Sequence, residues 1–564
     1  MIPFSEIIQV LVFIIGLIIA APIFGSYITK ILSGERNFLT PVFGRIETII
    51  YKSAGINSSE VMGWKSYTFS ILSFSFFGII FLIVIQLIQP ALPLNPQKLS
   101  NVEISLAVNT AVSFVTNTNW QSYAGETTLT YFVQMIGLTV QNFISAATGI
   151  AVLLALTRGL INRQGNSLGN FWVDLVRSTL YLFIPLSVLL AIILVSQGVV
   201  QSFSSYKEIT TLEGYKQIIP LGPAASQIAI KQLGTNGGGF FNTNSAFPLE
   251  NPTPLSNFLQ MFSILLIPAS LVFTYGKLIG SKKQAWIIFS VMMFVFLLGL
   301  TVSAYSEYSY NNIFQTSGLM EGKETRFGIL NSVIWSTATT AASNGSVNAM
   351  HSSLSPLAGL VTLFNIQLGE IIFGGVGSGM YGMLLFILIT VFISGLMIGR
   401  TPEYLGKKID AFEIKWAIVA ILLPNSVILL FTSLALKTNA GLSGLANSGP
   451  HGFSEILYAF SSAAGNNGSA FAGLNANTVF YNLMIALGML IGRFGVIIPC
   501  MAIAGNLVKK NITPSSKGTL HTDNLLFASL LSGVIFIVGA LTFFPALSLG
   551  PLLEHLLTNN GITF

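Results

Sequence analysis

Charge is what this sequence lacks most: only 8% of its residues are Asp, Glu, Lys or Arg, against roughly 25% in soluble globular domains. A chain so poor in charge cannot give a 564-residue fold a water-compatible surface, which excludes a large soluble domain. Cysteine occurs once, as Cys500 within an apolar run. One thiol excludes an intrachain disulfide or a cysteine metal cluster and reads as a small buried hydrophobe. There is no G-x-x-x-x-G-K-[ST] phosphate loop and no Asp-Lys-Thr-Gly phosphorylation string. The chain alone therefore offers no cofactor site, and any ATP with its Mg2+ must be used on another polypeptide. Basic and aromatic residues form no exposed cluster, so nucleic acid is excluded as a partner.

What is present is 52% hydrophobic residues, gathered in runs that suit a hydrocarbon core about 30 Å thick, which takes about 20 residues to cross. Ten such runs lie near 7–29, 66–89, 127–157, 172–197, 254–276, 285–304, 364–399, 414–436, 478–507 and 524–549. The first reads as a helix and not a signal peptide, because Glu6 stands where a positive n-region belongs and no small-residue cleavage site follows. Ten crossings place both termini on one side. The alternate loops near 30–65, 158–177, 277–283, 400–415 and 509–517 hold eighteen of the 26 basic residues, so the positive-inside rule makes them cytoplasmic and both termini extracytoplasmic. The net charge of +6 is a topology signal.

Four of the outward connections are alike. Each holds an amphipathic stretch of about ten residues, too short to span, that breaks into Asn, Gly, Ser and Thr. The breaks are Thr116-Asn117-Thr118-Asn119, Thr235-Asn236-Gly237-Gly238, Ser343-Asn344-Gly345-Ser346 and Asn466-Asn467-Gly468-Ser469. In this register Asn takes the second place of all four. The preceding short helices are expected at about 105–115, 224–233, 331–342 and 453–464. The plan is all-α: an N-terminal helix and cytoplasmic loop (1–64), repeats of helix, pore loop and helix at 65–170, 171–283, 284–412 and 413–518, and a closing helix with an external tail (519–564). The four repeats are expected around a pseudo-fourfold pore.

Irregular backbone at bilayer depth costs several kcal/mol for each unpaired polar group, and survives only when packed in protein or lining an aqueous cavity. Four such loops around one axis meet that condition, and backbone carbonyls aimed at the axis can replace the hydration shell of a potassium ion. Glycine in the third place of repeats two to four allows left-handed angles; Thr118 stands there in the first. The short helices point their partially negative carbonyl ends at the centre. None of the tetrapeptides has a carboxylate, as a ring for divalent or unselected cations would.

Two further features concern passage below the loops. The run 364–399 carries Gly369, Gly374, Gly375, Gly377, Gly379 and Gly382, and at about 1 kcal/mol each relative to alanine these predict a break in mid-membrane that serves as a gating loop. Glu370 and Arg493 are ionisable groups inside apolar stretches, which default to function; they are expected near the cavity exit, as a pair.

Long strings carry a family resemblance: Asn109-Thr-Ala-Val-Ser-Phe-Val-Thr-Asn-Thr-Asn-Trp-Gln-Ser-Tyr123, Leu233-Gly-Thr-Asn-Gly-Gly-Gly-Phe-Phe-Asn242, Phe373-Gly-Gly-Val-Gly-Ser-Gly379, Gly399-Arg-Thr-Pro-Glu-Tyr-Leu-Gly-Lys-Lys408 and Gly492-Arg-Phe-Gly-Val-Ile-Ile-Pro499. They resemble the KdpA family, the channel-like potassium-binding subunits of the Kdp ATPase within the superfamily of potassium transporters, over nearly the whole chain. The resemblance implies a plasma-membrane subunit that binds external K+ in a filter at its outer mouth. It also implies passage of the ion through an intramembrane tunnel to a KdpB-like P-type ATPase subunit, with a KdpC-like subunit and a small KdpF-like peptide. Carried over, the filter positions are Thr116, Asn117 and Thr118; Thr235, Asn236 and Gly237; Ser343, Asn344 and Gly345; Asn466, Asn467 and Gly468, with Gln121 in support. Two departures are Phe247, where His is expected, and Asn344, where some relatives have Cys; the latter supplies a backbone carbonyl whatever its side chain. The alternatives are an autonomous Trk/Ktr/HKT-like channel or cotransporter, and more remotely a solute carrier with a midplane site.

Overall fold

Among the described residues, ten helices of the computed structural model are long and apolar enough to cross a membrane, matching the ten runs read from the sequence. The structure describes residues 3–162, 165–311, 313, 315–397, 399, 401–513 and 520–562. Arg163, Arg400 and Lys517, three of the basic residues used for topology, lie outside these. The first span is α1 (Phe4–Leu32). Residues 33–63, read as a loop, also hold an amphipathic helix α2 (Thr40–Ser53), tied to the bundle through Glu47, which accepts from Arg177 and Tyr181.

The first repeat runs α3 (Trp64–Leu87), pore helix α4 (Ile104–Val115) and inner helix α5 (Val133–Ile161), whose first turns are π-helical. The second is α6 (Phe171–Ser196), pore helix α7 (Ala224–Leu233) and inner helix α8 (Pro254–Leu278). The third opens with α9 (Lys282–Tyr308) and pore helix α10 (Gly328–Ala341). Its inner helix is in two pieces, α11 (Pro356–Gln367) and α12 (Ser378–Met397), so the glycine-rich run is broken at 368–377 as expected. The fourth is α13 (Ala411–Lys437), pore helix α14 (Gly449–Gly465) and inner helix α15 (Val479–Leu507). The chain closes with α16 (Leu525–Leu547) and α17 (Leu553–Asn559). The four expected short helices are thus α4, α7, α10 and α14.

Polar caps start several spans where the apolar runs begin. Thr253 with Ser256 and Asp410 with Glu413 form capping boxes, and the Asn524 side chain accepts from Phe527 N, satisfying amides that would otherwise be orphaned. Within the bilayer, small residues let helices approach. A Cβ on Gly159 of α5 would press on Ala504 of α15, and one on Gly25 of α1 would press on Ser270 and Phe273 of α8. The inner helices α5, α8, α12 and α15 touch one another around the pseudo-fourfold axis, while α1 packs on α8 and α16 on the third repeat. Among the described residues, strand structure is limited to three short antiparallel hairpins: β1 (Lys207–Thr210) with β2 (Lys216–Ile219), β3 (Tyr310–Asn311) with β4 (Thr316–Ser317), and β5 (Glu403–Tyr404) with β6 (Lys407–Lys408).

Candidate functional site

Each pore helix ends in a left-handed residue, and that residue sets the true register of the loops. Asn117, Thr235, Ser343 and Asn466 have φ of 66°, 49°, 50° and 59°. In each loop the following amide donates five residues back: Thr118 N to Ser113 O at 2.9 Å, Asn236 N to Lys231 O at 2.9 Å, Asn344 N to Thr339 O at 3.1 Å and Asn467 N to Ser462 O at 2.9 Å. The first loop is therefore shifted by one from the register read in the sequence. Thr118 stands with Asn236, Asn344 and Asn467, not in the glycine place, and Asn119 stands with Gly237, Gly345 and Gly468. Asn119 can do so because asparagine tolerates the left-handed region, where its φ is 54°. Thr116 falls one place earlier, as the C-cap of α4, with its hydroxyl bonded to Val112 O and to Thr118 Oγ1.

The third-place residues are where neighbouring loops meet. A Cβ on Gly237 would overlap the Gly345 backbone, one on Gly345 would lie 2.9 Å from Gly468 Cα, and one on Gly468 would overlap Thr118 O. Gly237 and Gly468 are also left-handed, at φ 73° and 99°, so they need glycine twice over, whereas Gly345 needs it for closeness alone.

Side chains then lace each loop to the next. Asn117 Nδ2 donates to Thr235 O at 3.1 Å and Asn119 Nδ2 to Gly237 O at 3.0 Å, joining the first loop to the second. Asn344 Nδ2 reaches Lys231 O at 3.1 Å in the second repeat. Ser343 Oγ donates to Asn466 O at 2.9 Å, Asn467 Nδ2 to Thr339 O at 3.0 Å, and Asn466 Nδ2 to Thr118 Oγ1 at 3.0 Å, closing the ring. The Asn344 side chain also accepts from Ser346 N at 2.8 Å. Its identity is therefore used by the fold, contrary to the reading that its backbone alone matters. Gln121 ties the first loop to the second from both ends, accepting from Gly239 N at 2.7 Å and donating to Gly239 O at 3.0 Å. Phe247 lies outside the ring, packed on Phe241.

A supporting shell was not visible in the sequence. Ser145 on α5 donates to Asn117 Oδ1 at 2.7 Å, Trp335 Nε1 to Ser346 O at 2.9 Å, and Ser462 Oγ accepts from Gly468 N at 2.9 Å. Behind the second loop, Lys231 Nζ pairs with Glu250 and donates to Asn244 Oδ1 at 2.8 Å, all three buried. The only signal in the sequence was polarity in short helices that must otherwise be apolar to lie at this depth.

Beneath the ring runs the broken third inner helix. Gly374 N donates to Ala341 O and Val376 N to Thr235 Oγ1, both at 2.9 Å. Gly377 sits against Gly149 of α5, Gly375 lies beside Ser343, and Gly379 is pressed on the Phe373 carbonyl. The segment contains two non-glycine left-handed residues, Glu370 at φ 52° and Phe373 at φ 67°, the kind of backbone strain that persists only where surrounding structure holds it.

Glu370 and Arg493 both line a cavity of about 80 Å³ below the third and fourth loops, together with Ser343, Asn466, Tyr381 and Asn425. Glu370 faces Ser343 and Asn467, and among the described residues its Oε1 takes no hydrogen bond. Arg493 instead donates to Ser145 O at 3.1 Å. The two side chains share one cavity but form no direct ion pair, the guanidinium being bonded to the α5 carbonyl. A ring of packed neutral backbone over a polar cavity can hold and then release a dehydrated monovalent cation.

The family model described as KdpA, potassium-transporting ATPase A subunit, matches residues 11–556. The chain is 56% identical to the potassium-transporting ATPase potassium-binding subunit of Leptospira interrogans, covering 99% of this chain and all of the relative. It is 54% identical to that of Sorangium cellulosum, covering 94% and 95%, and 52% identical to that of Pseudomonas aeruginosa, covering 98% and 99%. Among solved structures it is similar to the potassium transporter TrkH from Vibrio parahaemolyticus, with a TM-score of 0.53 at 12% identity, covering 87% of this chain and 96% of that one.

Proposed function

This chain belongs to the KdpA family of potassium-transporting ATPase A subunits, and from that premise we propose that it is the potassium-binding and translocating subunit of an ATP-driven potassium importer. Potassium enters from outside and is selected by carbonyls of the four-loop ring, at Asn117 to Asn119, Thr235 to Gly237, Ser343 to Gly345 and Asn466 to Gly468. The observation that carries this reading is the closed ring itself: four loops in contact, each laced to the next by amide side chains, with no charged residue among the twelve. Holding the ring through side chains leaves its spacing fixed while the ion is coordinated. A fixed spacing favours an ion of one size.

Below the ring, the strained 368–377 segment blocks the direct route, and Glu370 draws the ion into the cavity between the third and fourth repeats. From there it passes sideways to a P-type ATPase subunit of the KdpB kind, assembled with KdpC-like and KdpF-like partners. The basic loops face the cytoplasm and the protein works in the plasma membrane with its termini outside. ATP and Mg2+ belong to the partner.

The test is uptake of rubidium into proteoliposomes. The chain assembled with its ATPase partner takes up Rb+ only with ATP, and without that partner moves none against a gradient. ATP-independent accumulation by this chain alone would overturn the reading.

A further inference from the structure

Residues 402–409, within the string read from the sequence, have no part in the ring or the cavity, yet they carry two fully buried polar side chains, Tyr404 and Lys407. They form a hairpin on the face opposite the filter. Strands β5 and β6 pair in register, Glu403 with Lys408 and Tyr404 with Lys407, around a turn of left-handed Leu405 and Gly406. Such a paired left-handed turn makes a tight two-residue hairpin. Ile409 N bonds Pro402 O at 2.9 Å at its base, and Thr513 N bonds Gly406 O at 2.8 Å at its tip.

The hairpin reaches the last turns of inner helices from all four repeats. Lys407, with no exposed surface, donates to Gly159 O at 2.8 Å and Asn162 O at 2.6 Å at the end of α5, and to Leu507 O at 2.7 Å at the end of α15. Tyr404 OH meets Tyr275 OH of α8 at 2.7 Å and accepts from Gln284 Nε2 of α9 at 2.5 Å. Pro402 lies against Gly395 of α12. An element that touches α5, α8, α12 and α15 at one end of their bundle lies across the axis that the filter opens at the other end.

The chemistry at Lys407 is unusual. The ends of helices leave carbonyls without intrahelical partners and carry partial negative charge, so the converging ends of α5 and α15 make a cation site from backbone oxygen. An ammonium has three donors, and Lys407 spends all three there. Among the described residues no carboxylate pairs with it: the nearby Asp410 and Glu413 are taken by Lys510 and Lys408.

We propose that this hairpin is a second, partial barrier at the inner end of the direct path from the filter, and that Lys407 is its electrostatic lock, a tethered cation occupying the carbonyl site through which a transported ion would leave. The proposal rests on reading the four-loop ring as a selective filter. The third-repeat segment 368–377 is then one barrier directly under the ring and the hairpin a second at the far end. The two confine the ion to the lateral cavity.

The assembled complex in liposomes tests this with Lys407→Gln, Lys407→Met and Lys407→Arg, each placed in a background lacking Gly374 to Gly379 so that the barrier under the ring is already open, and each checked for equilibrium Rb+ binding and for passive Rb+ and Na+ flux without ATP. Removing a unit charge at contact distance from an ion path should raise passive Rb+ flux about tenfold over that background in the Gln and Met variants. That leak should favour Rb+ over Na+ because it passes the ring, and Rb+ binding should equal wild type. The Arg variant keeps the charge and should leak no more than that background. Neutral variants that bind Rb+ normally yet leak no more than that background would overturn the seal and leave the filter standing. So would a leak equal for Na+ and Rb+, which reports damage and not an exit. Wild-type protein that does not prefer Rb+ to Na+ would refute the filter itself and the seal with it. If the Met variant does not assemble, the Gln variant, which retains a donor, decides the matter by the same fluxes.

Discussion

The inner helix of the fourth repeat runs unbroken from Val479 to Leu507, whereas its counterpart in the third is cut between Gln367 and Ser378. Above them the two repeats are nearly interchangeable: Ser343-Asn344-Gly345 and Asn466-Asn467-Gly468 share the left-handed first residue, the amide bonded five residues back and the reach of an asparagine to the preceding repeat. The difference teaches how the molecule divides its work. On the proposed reading, binding is built from what the repeats share, and direction from what one repeat alone has, the strained segment under the ring and the hairpin that follows α12.

Breaking the shared part should have the largest effect. Gly237→Ala places a Cβ on the Gly345 backbone at a left-handed φ, and left-handed strain alone is about 1–2 kcal/mol. Equilibrium Rb+ affinity should fall by about thirtyfold or more, and the Gly345→Ala variant, whose φ is ordinary, should lose less. Equal losses would remove the distinction between the two glycines.

Breaking the unshared part should leave binding alone. Deletion of Gly374 to Gly379 should preserve Rb+ affinity and make the protein leak, measured as ATP-independent flux; a tight deletion variant would remove the gating role. Glu370→Gln should slow ATP-driven uptake by about tenfold, the factor a carboxylate facing an ion across a cavity can supply, again with binding unchanged. A drop in affinity at the ring would move Glu370 from passage to selection.

The register of the first loop gives a smaller and sharper test. Asn119→Gly keeps the left-handed backbone and loses the bonds to Gly237 O and Asn142, each worth about 1 kcal/mol, so Rb+ binding should weaken by at most about thirtyfold. Thr118→Gly removes the hydroxyl that accepts from Asn466 and loosens a residue that is not left-handed, so its loss should be the greater. The opposite order would restore Thr118 to the glycine place.

The smallest effect lies at the outer rim. His451 at the start of α14 bonds Glu554 of α17 at 2.8 Å. Burial lowers its pKa, but the hydrogen bond and charge of Glu554, with Glu455 and Glu321, outweigh this and hold it above the ordinary 6.5. The protonated form therefore favours α17 docked on α14. Its contribution is complete below pH 6.5 and is lost as pH rises through the raised value. Amide exchange in α17 should quicken from pH 6 to pH 8 beyond its intrinsic pH dependence, and His451→Gln should abolish that excess.

The sequence disclosed what depends on local pattern. Ten apolar runs became ten spans, four short amphipathic stretches became four pore helices, and six glycines in one run marked the broken helix. It hid what depends on equivalence or on distant partners. Asparagine and glycine both accept left-handed backbone, so the string Thr116-Asn117-Thr118-Asn119 aligned equally well in two registers, and only the bond from Thr118 to Ser113 decides. The Lys231 and Glu250 pair, 19 residues apart, and the three carbonyls around Lys407 come together only in the fold. Glu370 and Arg493 were found as buried charges, but their separation was set by Ser145, which nothing in the sequence connects to Arg493.

The central claim is selective binding at the ring, and displacement of bound rubidium measures it most directly. In wild-type protein, potassium should displace Rb+ at comparable concentration while sodium fails until far higher concentration, and Gly237→Asp should abolish the bound Rb+. Sodium competing as well as potassium would contradict a potassium-selective ring.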